Sequence, residues 1–198
     1  MKVPSTSMLA ALATLCALPA LAQVNDPAYL RTRTQVDGIT TQTLDKLWER
    51  TDYYWHDGDY NRIVDLCRIV MEGDPNDEEV CSSAAYLLWS MGDTPAADWL
   101  LAYGLKRATK NQSLFYYNMG YHVFVTKRYK EALPYLQKAV ALGGVPFSAY
   151  STLGHTYDRL NMLPESVKTW EEAVKRFPAQ GAGKTNLARV KAKLAARR

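Results

Sequence analysis

Sliding the chain on itself by 34 or 35 residues brings one pattern back four times, and no other feature constrains the fold as much. Residues 150–178 read Tyr150-x-x-Leu153-Gly154-x-x-Tyr157, then Ser166-x3-Trp170-x2-Ala173, then Pro178. Thirty-four residues earlier stand Tyr116, Met119, Gly120 and Val123, then Ala132, Leu136 and Ala139. A further step of 35 reaches Cys81, Ala84, Ala85 and Leu88, then Ala97, Leu101 and Gly104. A last step of 34 reaches Leu47, Arg50, Thr51 and Tyr54, then Ile63, Cys67, Val70 and Pro75. Each unit contains two segments on helical spacing, the first at i, i+3, i+4 and i+7 and the second at i, i+4 and i+7, positions that share one face of a helix. Between them lie "HDGDY" (56–60), "MGDTP" (91–95), "TKRY" (126–129) and "LNMLP" (160–164), whose Gly, Asp, Asn and Pro suit turns and helix starts. A two-helix unit cannot bury its apolar stripe alone, so units with this period must stack on one another.

The pattern resembles the tetratricopeptide repeat: a large residue, Leu-Gly, an aromatic, then a small residue, an aromatic, Ala and Pro. The last unit matches it almost fully, the third well, and the first two in outline. Arg50-Thr51 replaces Leu-Gly, and Gly144 stands where Pro is expected. The resemblance implies an all-α, right-handed α-solenoid of about four helix-turn-helix repeats, at 44–77, 78–112, 113–146 and 147–180. Residues 181–198 carry Leu187, Val190 and Leu194 on one face and bases opposite, as expected of a basic C-terminal capping helix. Residues 23–43 are expected to be partly flexible over 24–33, with the Thr-rich "GITTQT" (38–43) capping the first helix.

The N-terminus reads as a leader. Lys2, an apolar run from Met8 to Leu18, and Ala20-Leu21-Ala22 form a secretory signal peptide over 1–22, cut before Gln23. The run is too short to span a bilayer, and Leu15 ahead of Cys16 argues against lipid attachment. No later stretch is apolar enough to cross a membrane, so the mature chain is expected to be periplasmic or extracellular. Cys67 and Cys81 then remain, either as a disulfide joining the first two repeats or as two buried free thiols.

Without the leader there are 23 basic and 20 acidic residues, unevenly spread. No acid follows Glu172, while Lys175, Arg176, Lys184, Arg189, Lys191, Lys193, Arg197 and Arg198 are all basic. Such a tail fits either an anionic partner or cations placed at the end of a terminal helix.

Motifs that would carry chemistry fail on spacing. "GAGKT" (181–185) has Pro178 where a phosphate-binding loop needs its first Gly, and no strand precedes it. His56, Asp57 and Asp59 in "HDGD" fall in a turn with no second His at ligand spacing. His122 and His155 have no assignable Ser, Cys or carboxylate partner. No enzymatic activity, cofactor, metal or nucleic acid is expected.

One stretch, "YYNMGYHVF" (116–124), is too aromatic for a simple amphipathic helix. Tyr116, Met119, Gly120 and Val123 lie on one face and form the expected core. Tyr117, Asn118, Tyr121 and Phe124 lie on another, which in the repeat family lines the concave surface. The same offsets select Trp48, Asp52 and Trp55 in the first repeat and Tyr86 and Trp89 in the second. In the fourth they select Ser151, Thr152, His155, Asp158 and Arg159. The rings either pack between repeats or line a groove that binds a partner peptide or protein segment of the cell envelope. A glycan or envelope polymer is the alternative ligand, since aromatic faces also stack on sugars. Some members of the repeat family grip a peptide's terminal carboxylate with Asn and basic residues on this face. Asn118 matches, but Trp48, Asp52, Ser151 and Thr152 occupy the basic positions, so that grip is not expected here.

Overall fold

The computed structural model describes residues 27–197, so the leader expected over 1–22 lies outside the described residues. The described chain is helical throughout: α1 (Pro27–Asp57), α2 (Tyr60–Gly73), α3 (Glu78–Ser90), α4 (Thr94–Arg107), α5 (Gln112–Val125), α6 (Tyr129–Leu142), α7 (Phe147–Arg159), α8 (Leu163–Arg176) and α9 (Gly181–Ala195). No helix among the described residues is long and apolar enough to cross a membrane.

The chain divides into two units at Lys46 and Leu47. The described part of the first is the leading portion of α1, and it corrects the expectation for "GITTQT". Those residues cap nothing; they lie inside the helix. Thr34, Thr41 and Thr43 donate their hydroxyls to the carbonyls of Leu30, Asp37 and Ile39, each one turn back. With its hydroxyl bonded to the preceding turn, a threonine no longer competes for the backbone and sits in a helix interior.

The second unit, from Leu47 onward, is the solenoid, in which consecutive helices from α2 to α9 pack against one another. Each turn between paired helices has one residue at positive φ: Gly58, Gly92, Lys127 and Asn161. These four are spaced by the repeat period, and the left-handed conformation reverses the chain at the same place each time. Asp59, Asp77 and Asp93 then start α2, α3 and α4 by accepting the backbone N–H of Arg62, Val80 and Ala96.

Pairing follows a small-to-large rule. A Cβ built on Gly120 would stand 2.7 Å from Leu136, and one on Gly154 would stand 2.6 Å from the Trp170 indole nitrogen. Both pairs are sixteen residues apart, so helix B of each repeat seats its large residue on the small one of helix A. Ser166 fastens the last pair by donating to the Gly154 carbonyl at 2.8 Å. The buried ring of α5 is Phe115, with Tyr116 half-buried. Phe115 fills the space left by Gly104 on the preceding repeat, where a Cβ would stand 3.2 Å from the ring. Met119, Gly120 and Val123 are buried as the spacing implies.

Cys67 and Cys81 are free, buried thiols rather than a disulfide in the structure. Burial, reinforced by the Asp77 charge, pushes both up to about 12. Neither thiol is therefore expected to react with an aqueous thiol reagent in the native protein at neutral pH. In the chain beginning at Gln23, which lacks Cys16, two equivalents should appear on unfolding without reductant, and none would appear if a bridge had formed.

The C-terminal helix closes the array. Val190 is fully buried against the cluster holding Trp170, while Leu187 and Leu194 pack beside it. Gly183, the middle glycine of "GAGKT", is buried because a side chain there would meet Phe147 and Val174 at 3.3 and 3.2 Å. The basic residues have partners: Arg189 and Lys193 hold Asp158, each at 2.6 Å, and Lys191 holds Glu171 at 2.7 Å.

Candidate binding groove

Helices α1, α3 and α5 turn one face toward a shared concavity of about 770 Å³. The wall carries Trp48 and Trp55 from α1, Tyr86 and Trp89 from α3, and Tyr117 and Tyr121 from α5. These side chains converge because α3 and α5 pack directly and the repeat period returns each helix A to the same orientation. The exposures separate this face from the core. Trp55, Tyr86 and Tyr121 are 49%, 55% and 46% exposed, whereas Met119 and Val123 on the opposite side of α5 are buried. The rings pair along the wall: Tyr86 and Trp89 at 5.8 Å, Tyr117 and Tyr121 at 6.0 Å, both tilted. Burial raises the Tyr117 phenol above its ordinary value. Asn118 also lines the groove, and its amide donates to the Glu78 carbonyl at 3.4 Å.

Six residues selected by the same offsets are not on this wall, Ser151 and Thr152 among them. Phe124 packs against Tyr129 at 5.4 Å. Arg159 lies over that same Tyr129 ring, 6.0 Å from its centroid. His155 sits edge-on to Trp170 at 5.0 Å. Burial, followed by the nearby Arg189 charge, holds its pKa below the usual histidine value. Asp158 is bound by α9, with only 10% of its side chain exposed. In place of a groove residue, Asp158 is the centre of an internal ionic clamp.

The groove also contains residues that were not expected there. Thr51, Ser82, Ser83 and Val125 contribute to the wall, and His122 closes part of it. His122 is buried, and its Nε2 lies 2.8 Å from Asp98 on α4. Arg128, in the turn after α5, grips the two oxygens of that carboxylate at 2.6 and 2.8 Å. Burial, helped by Arg128, keeps His122 below its ordinary pKa against the opposing pull of Asp98. The three groups form a latch joining α4, α5 and the turn that leads from α5 to α6. Asp98 lies 24 positions before His122, so no local spacing could have linked them.

Among the described residues, no cluster of three or more His, Cys, Asp or Glu side chains is placed to hold a metal ion. His56 instead faces Asp52 at 3.9 Å, and Asp59 caps α2.

No protein-family model and no curated protein matches the chain. Solved structures do. MamA from Desulfovibrio magneticus RS-1 superposes with a TM-score of 0.61 at 22% identity, covering 79% of this chain and 86% of that one. A second MamA structure gives a TM-score of 0.60 at 22% identity over 77% of this chain and 81% of the other. YrrB, described as a TPR protein with an unusual peptide-binding site, gives 0.58 at 18% identity, with 80% and 84% covered. The packing of successive helix pairs and these structural likenesses agree: the chain has the fold of a tetratricopeptide-repeat solenoid.

Proposed function

We propose that this chain is an exported, non-enzymatic interaction scaffold of the cell envelope that holds an extended segment of a partner protein in the aromatic groove. One observation carries the reading: three successive repeats place aromatic rings around a single concavity, while α3 and α5 bury their opposite faces in the core. Large aromatics supply much contact area at little conformational cost, and binding hot spots favour Trp and Tyr. The likeness to YrrB, whose description names a peptide-binding site, supports the same use of this fold. Export rests on the leader pattern, and intact-mass measurement of envelope-fraction protein is expected to show a chain beginning at Gln23. A mass that includes residues 1–22 would remove the envelope from the proposal.

The groove is tested by separating binding from folding. Trp89→Ala with Tyr121→Ala should leave the melting temperature within a few degrees of wild type, because Tyr121 is solvent-facing and Trp89 only half-buried. Capture of the envelope partner should fall by about 2 kcal/mol or more, the usual cost of losing a hot-spot ring. If the double variant unfolds early and captures normally, the rings serve packing and the scaffold binds elsewhere.

A further inference from the structure

The groove is selective in charge as well as shape. Its charged lining groups among the described residues are Glu49 and Asp52, both on α1, and no lysine or arginine lies on its wall. Asp52 keeps its carboxylate in solvent, 83% exposed, with His56 alongside at 3.9 Å. Three arginines that lie over aromatic rings do so at rings outside this wall. Arg50 lies over Tyr53 and Tyr54, Arg62 over Tyr54, and Arg107 over Tyr103. Indole and phenol rings present electron-rich faces, which attract a cation within about 6 Å of the ring centre. A wall of six such rings beside the exposed Asp52 carboxylate attracts positive charge by two mechanisms at once, and it repels an anion. Trp48, Asp52, Ser151 and Thr152 stand where a grip on a peptide's carboxylate terminus would need bases, which removes that anionic alternative.

Resting on the groove reading above, we infer that the occupant is a basic segment, an extended peptide whose lysine or arginine side chains lay their cationic heads on the rings of α1, α3 and α5. Asp52 receives those heads at the rim near α1, and the aliphatic stems cover the ring faces deeper in. The guanidinium or ammonium group thus keeps one side toward water, which limits the cost of desolvation.

The test uses the full chain and three capped decapeptides, identical except for Lys, Gln or Glu at alternate positions, followed by tryptophan fluorescence. The Lys peptide is expected to bind roughly ten-fold more tightly than the Gln peptide, the sum of ring and carboxylate attraction. The Glu peptide should be weaker still. Raising NaCl from about 50 to about 500 mM should weaken the Lys peptide and leave the Gln peptide unchanged. Asp52→Asn should cost the Lys peptide about three-fold and the Gln peptide nothing, because only an exposed charge is removed. Gln or Glu peptides binding as well as Lys would overturn the cationic assignment and leave the groove reading standing. An envelope oligosaccharide binding where all three peptides fail would overturn the basic-peptide assignment in favour of a sugar. No response to any of the three peptides or to the oligosaccharide would overturn both the inference and the groove.

Discussion

Trp170→Ala should lower stability by about 3–5 kcal/mol, among the largest effects of any single substitution in this chain. Trp170 is fully buried, with Phe147 at 6.3 Å, His155 edge-on at 5.0 Å, and the Gly154 backbone pressed against its indole. Truncation leaves a cavity between α7 and α8 that neighbouring helices cannot close without losing contact with α9. Gly154→Ala attacks the same contact from the other side. Its new Cβ would stand 2.6 Å from the indole nitrogen, and the ring has no room to retreat, so about 1–3 kcal/mol of overpacking is expected. Trp170→Phe separates volume from polarity. The indole N–H is buried without an acceptor among the described residues, so removing it recovers part of what the smaller ring loses. The phenylalanine variant should therefore cost well under half as much as alanine. Denaturant unfolding followed by circular dichroism measures all three. Equal losses for Phe and Ala would show that the stranded N–H costs nothing, and a neutral Gly154→Ala would show that the contact is loose.

Removing residues 181–198 should lower the melting temperature by about 10 °C. Val190, Leu187 and Leu194 leave the cluster around Trp170, and burying three such side chains contributes roughly 4–5 kcal/mol. Because each repeat touches only its neighbours, the loss should concentrate in α7 and α8, where hydrogen exchange would rise first. Deletion also strips Asp158 of Arg189 and Lys193. Burial by itself would raise that carboxyl, but the two cations together hold it below its ordinary value. A carboxylate depressed in the folded state contributes stability above its unfolded pKa, and the contribution fades as pH falls through the folded value. The gap between the full chain and the truncated one should accordingly shrink below the ordinary carboxylate range. Asp158→Asn should flatten that dependence in the full chain. Unchanged melting, together with lost salt-sensitive binding to anionic vesicles, would instead make the tail a ligand site.

The offsets that select the groove illustrate how far a periodic sequence can be read. Trp55, Trp89, Phe124 and Asp158 occupy equivalent positions in successive repeats. The first two line the concavity, Phe124 packs on Tyr129, and Asp158 is clamped by α9. An offset determines which face of a helix a side chain occupies. It cannot determine what lies opposite that face, because that depends on neighbouring elements, which differ along the array. Tyr121 and His155 make the same point, one at the groove and the other against Trp170.

What the amino-acid sequence determined by itself was everything that repeats. The seats of Leu136 on Gly120 and Trp170 on Gly154, and the turns at Gly58, Gly92, Lys127 and Asn161, recur because they arise within a single unit. Turn dihedrals and the apolar stripe of a helix are local properties, carried by residues a few positions apart. Tertiary structure alone decided the contacts between units and at the ends. It joined His122 to Asp98 and Arg128, set Phe115 rather than Tyr116 in the core, left Cys67 and Cys81 as free thiols, and turned the basic tail inward onto Asp158 and Glu171. Those partners lie many residues apart, and what brings them together is the packing of whole helices, which no local spacing records.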